Sequence, residues 1–259
     1  SLETNQERRL VVIGRGLGLT DEWPLAMLAF QQAIRADGTS AEAWAWLGEA
    51  KQQLGQEGSA ELNHAMALDS RSVIVRALRG LYWKRIGNNR AALSEYQAAA
   101  ELEPQSPAWK IALGETYASL GDLVSALGVY QRATELAPDD ASTWRLLATF
   151  CAQYGVQVQT VGIPAAQTAV DLAPQDALAL DVLGWNQLSA GWLYSAEENL
   201  LAALELAPDL AAAHLHLALV YLQKGDRDAA YEELLLVREL DPQGVFGQQA
   251  DQILIQNFR

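Results

Sequence analysis

Glycine and proline recur at a nearly constant period along this chain of 259 residues. The intervals between successive members of each set lie between 32 and 36 residues. A period of about 20 to 50 residues is typical of repeat proteins, in which each unit buries its apolar face against its neighbours. The two sets are Gly55, Gly87, Gly121, Gly155, Gly191 and Gly225, and Pro104, Pro138, Pro174, Pro208 and Pro242.

Each unit is predicted to contain two amphipathic helices. Apolar residues follow helical spacing before each glycine and again between that glycine and the next proline. Glycine ends the first helix because it adopts left-handed backbone angles at little cost, and proline ends the second because it cannot continue a helix. Side chains that can cap free N–H groups precede most of the next helices: Ser40, Ser72, Ser106, Asp140 and Asp176, with Leu210 as the exception.

Residues 107–140 carry Leu113-Gly114, Tyr117, Gly121-Asp122, Ala126, Tyr130, Ala133 and Pro138. In these small, aromatic and proline positions the chain resembles the tetratricopeptide repeat family. The resemblance implies an all-α, right-handed α-solenoid of about seven antiparallel helix pairs, a single domain over 1–259. A C-terminal capping helix is expected over 245–259, where apolar residues recur at helical spacing. The expected repeats are 7–40 (degenerate), 41–72, 73–106, 107–140, 141–176, 177–210 and 211–244.

Two units near the N-terminus depart from the common pattern. In residues 41–72, Ser70 replaces the proline and follows Gly55 by 15 residues rather than 17, so a shortened second helix is expected. In the first unit the second helix is predicted over Pro24 to Ala36. Its first helix is expected to end near Gly14, because each interior glycine costs about 1 kcal/mol relative to alanine. The glycines concerned are Gly14, Gly16 and Gly18.

The fifth unit, residues 141–176, is longer than the others. Pro174 follows Gly155 by 19 residues, and the segment 156–162 has no helical periodicity. These features predict a longer loop, with Pro164 near the start of a shortened helix. The loop is interpreted either as a neutral surface insertion or as an element that contacts a ligand.

The charge of the chain limits its partners. Eighteen Lys and Arg against 32 Asp and Glu give a formal net charge of -14. Because nucleic-acid binding relies on cations that neutralise phosphates, no nucleic-acid partner is expected. Residues 1–106 carry 11 positive and 13 negative charges, and residues 107–259 carry 7 and 19. The acidic C-terminal half is expected either to attract a basic partner segment or to keep the chain soluble.

Neither a membrane span nor a disulfide framework is predicted. The longest nearly apolar stretch, 211–222, is shorter than the roughly 18 residues that a membrane-spanning helix needs, so no direct membrane insertion is expected. A single cysteine, Cys151, excludes an intramolecular disulfide. We expect a cytoplasmic location, with an extracytoplasmic or membrane-tethered longer protein as the alternative. Fourteen Arg against four Lys, with abundant Ala and Leu, are compatible with a bacterial source.

Patterns for catalysis or metal binding are sparse. The glycine-rich run 11–18 suggests a dinucleotide fingerprint, but Leu19 stands where its third small residue belongs, and no strand–helix–strand unit follows. His214 and His216 are two residues apart on a predicted helix, so they point to different faces and form no i, i+4 metal pair. Cys151 is expected to be a buried, inert thiol. We therefore predict no enzyme activity, no cofactor and no metal site.

In the tetratricopeptide repeat family, one face of each first helix lines a concave groove, and the resemblance assigns that face here. Its last positions are apolar, so we interpret them as a partner-contact cluster or as a surface that the capping helix covers. Trp185 is the expected anchor, since tryptophan is enriched at binding hot spots. The implied groove residues are Lys84, Arg85, Ile111, Glu115, Arg145, Thr149, Leu178, Asp181, Trp185, Leu188, Leu215, Leu219 and Leu222.

The leading hypothesis is a non-catalytic scaffold or adaptor that binds a peptide or protein segment in this groove. Two alternatives stay open: a regulatory or substrate-presenting module of a larger enzyme or membrane-anchored assembly, and a homodimer that buries the C-terminal apolar cluster. The charged clamp with which a subgroup of the family grips chaperone tails is absent, so no chaperone tail is expected. The positions where it belongs read Val11 and Arg15, Ala45 and Glu49, or Ala77 and Leu81.

Overall fold

A computed structural model describes residues 2–258 of the protein, with the side chains of residues 6–258. The described residues form fifteen α-helices, and none of them lies in a β-strand. The predicted all-α helical-repeat class is therefore confirmed. The helices pack into two compact units, and the boundary between the units along the sequence falls between Asp122 and Leu123. We call them unit 1 and unit 2.

Unit 1 is a series of helices in which each packs against the next along the chain. Helix α3 also contacts α5, so first helices of successive repeats are neighbours. The helices are α1 (Leu2–Leu19), α2 (Trp23–Ala36), α3 (Ala41–Gln53), α4 (Ser59–Leu68), α5 (Val73–Arg85), α6 (Asn89–Leu102) and α7 (Pro107–Ser119).

Unit 2 follows the same scheme. Its first helices contact one another in succession, α9 with α11, α11 with α13, and α13 with α15. The helices are α8 (Leu123–Leu136), α9 (Ala141–Tyr154), α10 (Ile163–Leu172), α11 (Ala177–Ser189), α12 (Leu193–Leu206), α13 (Ala211–Lys224), α14 (Arg227–Leu240) and α15 (Val245–Asn257).

The periodic glycines follow first helices, as predicted. All six have a positive φ, between 64° and 85°, which residues with a side chain rarely adopt. The cap prediction is wrong for Ser106, whose side chain makes no cap hydrogen bond. Pro107 follows it as the first helical residue, and its fixed φ already suits a helix start. The other predicted caps accept hydrogen bonds from the next helix: Ser40, Ser72, Asp140 and Asp176.

The prediction that the first helix ends near Gly14 is wrong, because α1 continues through Gly14, Gly16 and Gly18. Two of these glycines allow close packing against α2. A Cβ atom on Gly14 would lie 2.5 Å from the Phe30 ring, and one on Gly18 would lie 2.9 Å from the Trp23 ring. This tertiary packing offsets the cost of the low helix propensity of these two glycines. Gly16 gains no such contact, since its Cβ would have no neighbour within 4 Å.

The two irregular second helices are short, as predicted. Helix α4 and helix α10 each have 10 residues, against 14 in α6, α8, α12 and α14. Pro164 lies near the start of α10, also as predicted. The segment before it is not wholly a loop, because Val158–Gly162 forms a π-helical turn. Its Gly162 N–H donates to the Gln157 carbonyl oxygen at 3.1 Å, so the inserted residues are absorbed by a wider turn.

Helix α15 covers the end of unit 2, which confirms the predicted capping helix. Its Phe246, Ala250 and Leu254 pack in one apolar cluster with Leu215 of α13 and Leu234 of α14. The terminal repeat is thereby shielded from water on that flank. Across residues 2–258, no helix combines the length and the apolar character that a membrane crossing requires.

Candidate functional site

The predicted groove residues lie on first helices of both units, on α5 and α7 in unit 1 and on α9, α11 and α13 in unit 2. In unit 2 the repeat-equivalent residues Thr149, Trp185 and Leu219 are 36 and 34 residues apart. Because α11 contacts both α9 and α13, these positions share one face. We call its exposed or half-buried predicted residues the unit-2 face: Arg145, Thr149, Leu178, Trp185, Leu219 and Leu222.

The corresponding surface of unit 1, the unit-1 face, is charged, and its charges pair with one another. Lys84 Nζ lies 2.5 Å from a carboxylate oxygen of Glu115. Arg85 donates to both carboxylate oxygens of Glu49, at 2.6 and 3.1 Å. Glu49 is only 3% exposed, so the guanidinium compensates a carboxylate that has lost its water. The unit-1 face consists of Glu49, Lys84, Arg85, Glu115 and the half-buried Ile111.

Trp185 is the largest side chain of the unit-2 face, and its ring rests on a buried polar pair. The indole stacks on the His216 ring of α13, with ring centroids 4.7 Å apart and an interplanar angle of 17°. His216 Nδ1 lies 2.7 Å from Asp181 Oδ1 of α11. The prediction of Asp181 as a groove residue is wrong, because its carboxylate is 3% exposed and faces His216. Asp181 therefore supports Trp185 through the histidine.

Two predicted groove leucines lie in the core. Leu188 and Leu215 are 5% and 2% exposed. Leu188 belongs to the apolar cluster around Leu200, and Leu215 packs with Leu234 and Ala250. Neither is available to a ligand, so the prediction is wrong for both, and for Leu215 the capping-helix interpretation is the correct one. The groove positions carried over from the family resemblance failed here because α11 and α13 bury apolar residues on several sides.

The rest of the unit-2 face is apolar apart from its two α9 residues, Arg145 and Thr149. Arg145 Nε lies 3.6 Å from Asp176 Oδ2, and the Thr149 hydroxyl donates to the Arg145 carbonyl oxygen at 2.8 Å. Leu178 is 41% exposed, and the two leucines contributed by α13 are half-buried. The face is thus a supported tryptophan flanked by leucines, with one arginine at its border.

Family models described as tetratricopeptide repeat match residues 87–149 and residues 211–243. These two stretches of the chain are tetratricopeptide repeats. Along the sequence the first match runs from unit 1 into unit 2 and the second lies within unit 2, and the π-helical turn Val158–Gly162 falls between them. A search of curated proteins found no match.

Solved structures share the helical-repeat fold of this protein. MamA (residues 41 to the end) from Desulfovibrio magneticus RS-1 is 24% identical over 66% of this chain and 95% of its own, with a TM-score of 0.55. YrrB, a repeat protein described as having an unusual peptide-binding site, is 20% identical over 74% and 97%, with a TM-score of 0.51. The APC/C hetero-tetramer Cut9–Hcn1 contains a chain that is 18% identical over 99% and 54%, with a TM-score of 0.67. These likenesses establish the helical-repeat fold.

A second histidine–carboxylate pair lies on α13 of this repeat protein. His214 Nδ1 lies 2.5 Å from Glu233 Oε2, and Nε2 lies 3.0 Å from the Pro208 carbonyl oxygen. The hydrogen bond to Glu233 raises the pKa of His214, against the opposing effect of burial. Trp44 and Trp144, at the same repeat position, also donate to a turn carbonyl six residues earlier. His214 therefore takes the place of a structural tryptophan.

Sequence reasoning missed both histidine pairs, although one left a signal. His216 and Asp181 are 35 residues apart, about one repeat, so they sit on neighbouring first helices. Cys151 is a buried thiol, as predicted, and burial raises its pKa to about 12. Within the part of the chain that the structure describes, no three His, Cys, Asp or Glu side chains are grouped to hold a metal ion.

Proposed function

We propose that this tetratricopeptide-repeat protein is a non-catalytic scaffold that binds a peptide or protein segment on the unit-2 face. The observation that carries the proposal is Trp185 stacked on His216, which Asp181 holds in turn. A tryptophan ring held by its neighbours offers a large contact area at low entropic cost, and tryptophan is enriched among binding hot spots. The leucines beside it supply apolar surface whose removal from water favours binding.

The unit-1 face is the weaker candidate, because its charges are already satisfied. A ligand that bound there would have to replace the Arg85–Glu49 hydrogen bonds or leave them in place beneath it. Breaking that pair would leave the buried Glu49 carboxylate without its cation and with only the Gln53 amide as a donor. Loss of one partner of a buried ion pair costs about 3 to 5 kcal/mol in other proteins. A ligand on the unit-2 face meets no comparable penalty.

The charge of unit 2 indicates the chemistry of the bound segment. Residues 123–259 contain 6 Lys and Arg against 17 Asp and Glu. A segment with an apolar anchor and flanking basic residues is therefore steered towards unit 2 and gains affinity there. YrrB, a repeat protein with an unusual peptide-binding site, shares the fold and supports this class of ligand.

The experiment is affinity capture from a lysate of the source cells with three immobilised chains. These are the unchanged protein, Trp185→Ala, and Leu81→Ala, and circular dichroism checks that each is folded. Leu81 is the matched control because it occupies the same repeat position in unit 1 and is 36% exposed. We expect that the unchanged chain and Leu81→Ala capture the same partner protein and that Trp185→Ala does not capture it. Equal capture by all three chains would contradict the proposal.

A further inference from the structure

The fifth repeat begins its second helix unusually late. In four other repeats the second helix begins two residues after the periodic glycine, at Asn89, Leu123, Leu193 and Arg227. Helix α10 begins at Ile163, eight residues after Gly155. The π-helical turn takes the place of the missing helical residues. Such turns frequently occur at functional sites, which makes the surface beside this turn a candidate binding site.

A groove of about 510 Å³ lies beside this turn, between α8, α9 and α10. Trp144, Val161 and Pro164 give it apolar walls, and Glu135 and Thr168 stand among its polar lining. Its volume is within the range of about 300 to 1,000 Å³ that is usual for ligand sites. The groove lies within unit 2. It shares helix α9 with the unit-2 face, but none of its lining residues belongs to that face.

Trp144 is held rigidly in this groove. Its Nε1 donates to the Pro138 carbonyl oxygen at 2.8 Å, which fixes the indole against the turn between α8 and α9. The polar atom of the ring is thereby satisfied within the protein, and the ring offers apolar surface to the groove. Pro164 also lines the groove and is exposed to solvent.

The surroundings of the groove are acidic. Glu135 belongs to its lining, and Asp139 lies in the turn to which Trp144 is bonded. Asp171 follows Thr168 by three residues on α10, so the two side chains lie on the same side of that helix. Two cations lie nearby: Arg132 pairs with Glu135 at 2.6 Å, with both side chains more than half exposed, and Arg145 lies 3.6 Å from Asp176. A surface pair as exposed as Arg132–Glu135 contributes little, so a ligand cation can replace Arg132 at Glu135. The acidic residues around the groove therefore favour a ligand that carries positive charge on either side of its apolar part.

We propose that this groove is a second docking site, which takes an extended, basic segment of a partner protein with one aliphatic or aromatic anchor side chain. The anchor packs between Trp144, Val161 and Pro164, and flanking Lys or Arg residues face Glu135 and the acidic residues near it. The site is independent of the unit-2 face, because different side chains form it.

The test is selection of a phage-displayed random heptapeptide library on the full chain, followed by titration of the enriched peptide, labelled with a fluorophore, against four chains. These are the unchanged protein, Thr168→Trp, Gln167→Trp and Trp185→Ala. Thr168→Trp fills the groove, while Gln167→Trp adds the same ring at the adjacent exposed position outside the lining. Circular dichroism checks that each chain is folded.

We expect enriched peptides with one apolar anchor between Lys or Arg residues. Their dissociation constant should rise about tenfold or more for Thr168→Trp and stay within about twofold for the other two variants. Loss of binding in Trp185→Ala with none in Thr168→Trp would overturn the groove proposal and support the unit-2 face instead. Enrichment of acidic peptides, or of none, would also overturn it.

Discussion

Leu81 in unit 1 and Trp185 in unit 2 occupy the same position of their repeats, yet their surroundings differ. Near Leu81 the first helices present Lys84 and Arg85, each of which pairs with a carboxylate. Trp185 instead stacks on a histidine whose own partner, Asp181, is buried. The comparison shows that the same repeat position can have two kinds of surroundings. In unit 1 the neighbouring charges are neutralised by ion pairs, and in unit 2 a buried histidine–carboxylate pair supports a partly exposed aromatic ring.

The two units also differ in their charge balance. Residues 1–122 contain 12 Lys and Arg against 15 Asp and Glu, whereas residues 123–259 contain 6 against 17. Cations in unit 1 are numerous enough to satisfy its first-helix carboxylates, as Arg85 does for Glu49. Unit 2 has the larger excess of negative charge, so its field attracts cationic groups more strongly. The following changes break or sharpen this contrast, from the largest expected effect to the smallest.

Arg85→Ala should destabilise the protein most, by about 3 kcal/mol, because it leaves the buried Glu49 carboxylate without its cation. The measurement is the free energy of unfolding in urea, followed by circular dichroism. Lys84→Ala is the control, since its pair with Glu115 is well exposed and should contribute about 0.5 kcal/mol. Similar losses in both variants would show that the unit-1 face is not held by a buried pair.

Asp181→Ala should cost about 2 kcal/mol, because His216 then loses its buried hydrogen-bond partner. Asp181→Asn keeps an acceptor at that position and should lose less than about half as much. Urea unfolding again measures both. If the two variants unfold at the same denaturant concentration as the unchanged chain, Asp181 does not support the stack beneath Trp185.

Gly16→Ala should stabilise the protein by about 1 kcal/mol, since α1 is helical there and the added methyl group meets no neighbour. Gly14→Ala should do the opposite, because its methyl group would overlap the Phe30 ring. Thermal unfolding of both variants tests the corrected description of α1. A helix that ended near Gly14 would make Gly16→Ala nearly neutral.

The smallest effect concerns the pH dependence of unit 2. The pKa of His214 in the folded chain is raised above its ordinary value of 6.5 by the hydrogen bond to Glu233. The pair therefore stabilises the folded state fully below about pH 6.5, and this stabilisation is lost as the pH rises through the folded-state pKa. The difference in Tm between the unchanged protein and His214→Gln should therefore shrink by roughly 2 °C between about pH 6 and pH 8. A difference independent of pH would rule out this titration.

The fold could be predicted from the sequence because glycine and proline act locally. Gly121 and Pro138 each end a helix through their own backbone chemistry, whatever surrounds them. The error at Gly14 has the opposite cause. Its helix is stabilised by contact with Phe30, which lies 16 residues away and cannot be read from local propensity.

The candidate site was only partly predictable. The first-helix position of Trp185 could be predicted from its place in the repeat, and its side chain is half-buried there. Its role as an anchor stays a prediction. Leu188 and Leu215 were misassigned because the groove positions that the family resemblance implies are core positions here, where α11 and α13 pack on several sides. The support of Trp185 by His216 and Asp181 depends on the distance between two helices, which the sequence does not contain.

The central claim is that the unit-2 face binds a partner and the unit-1 face does not. The most direct test is calorimetric titration of the captured partner segment into the unchanged chain, Trp185→Ala and Leu81→Ala. We predict a dissociation constant raised about tenfold or more by Trp185→Ala and changed by less than about twofold by Leu81→Ala. A loss of affinity with Leu81→Ala that equals or exceeds the loss with Trp185→Ala would contradict the claim.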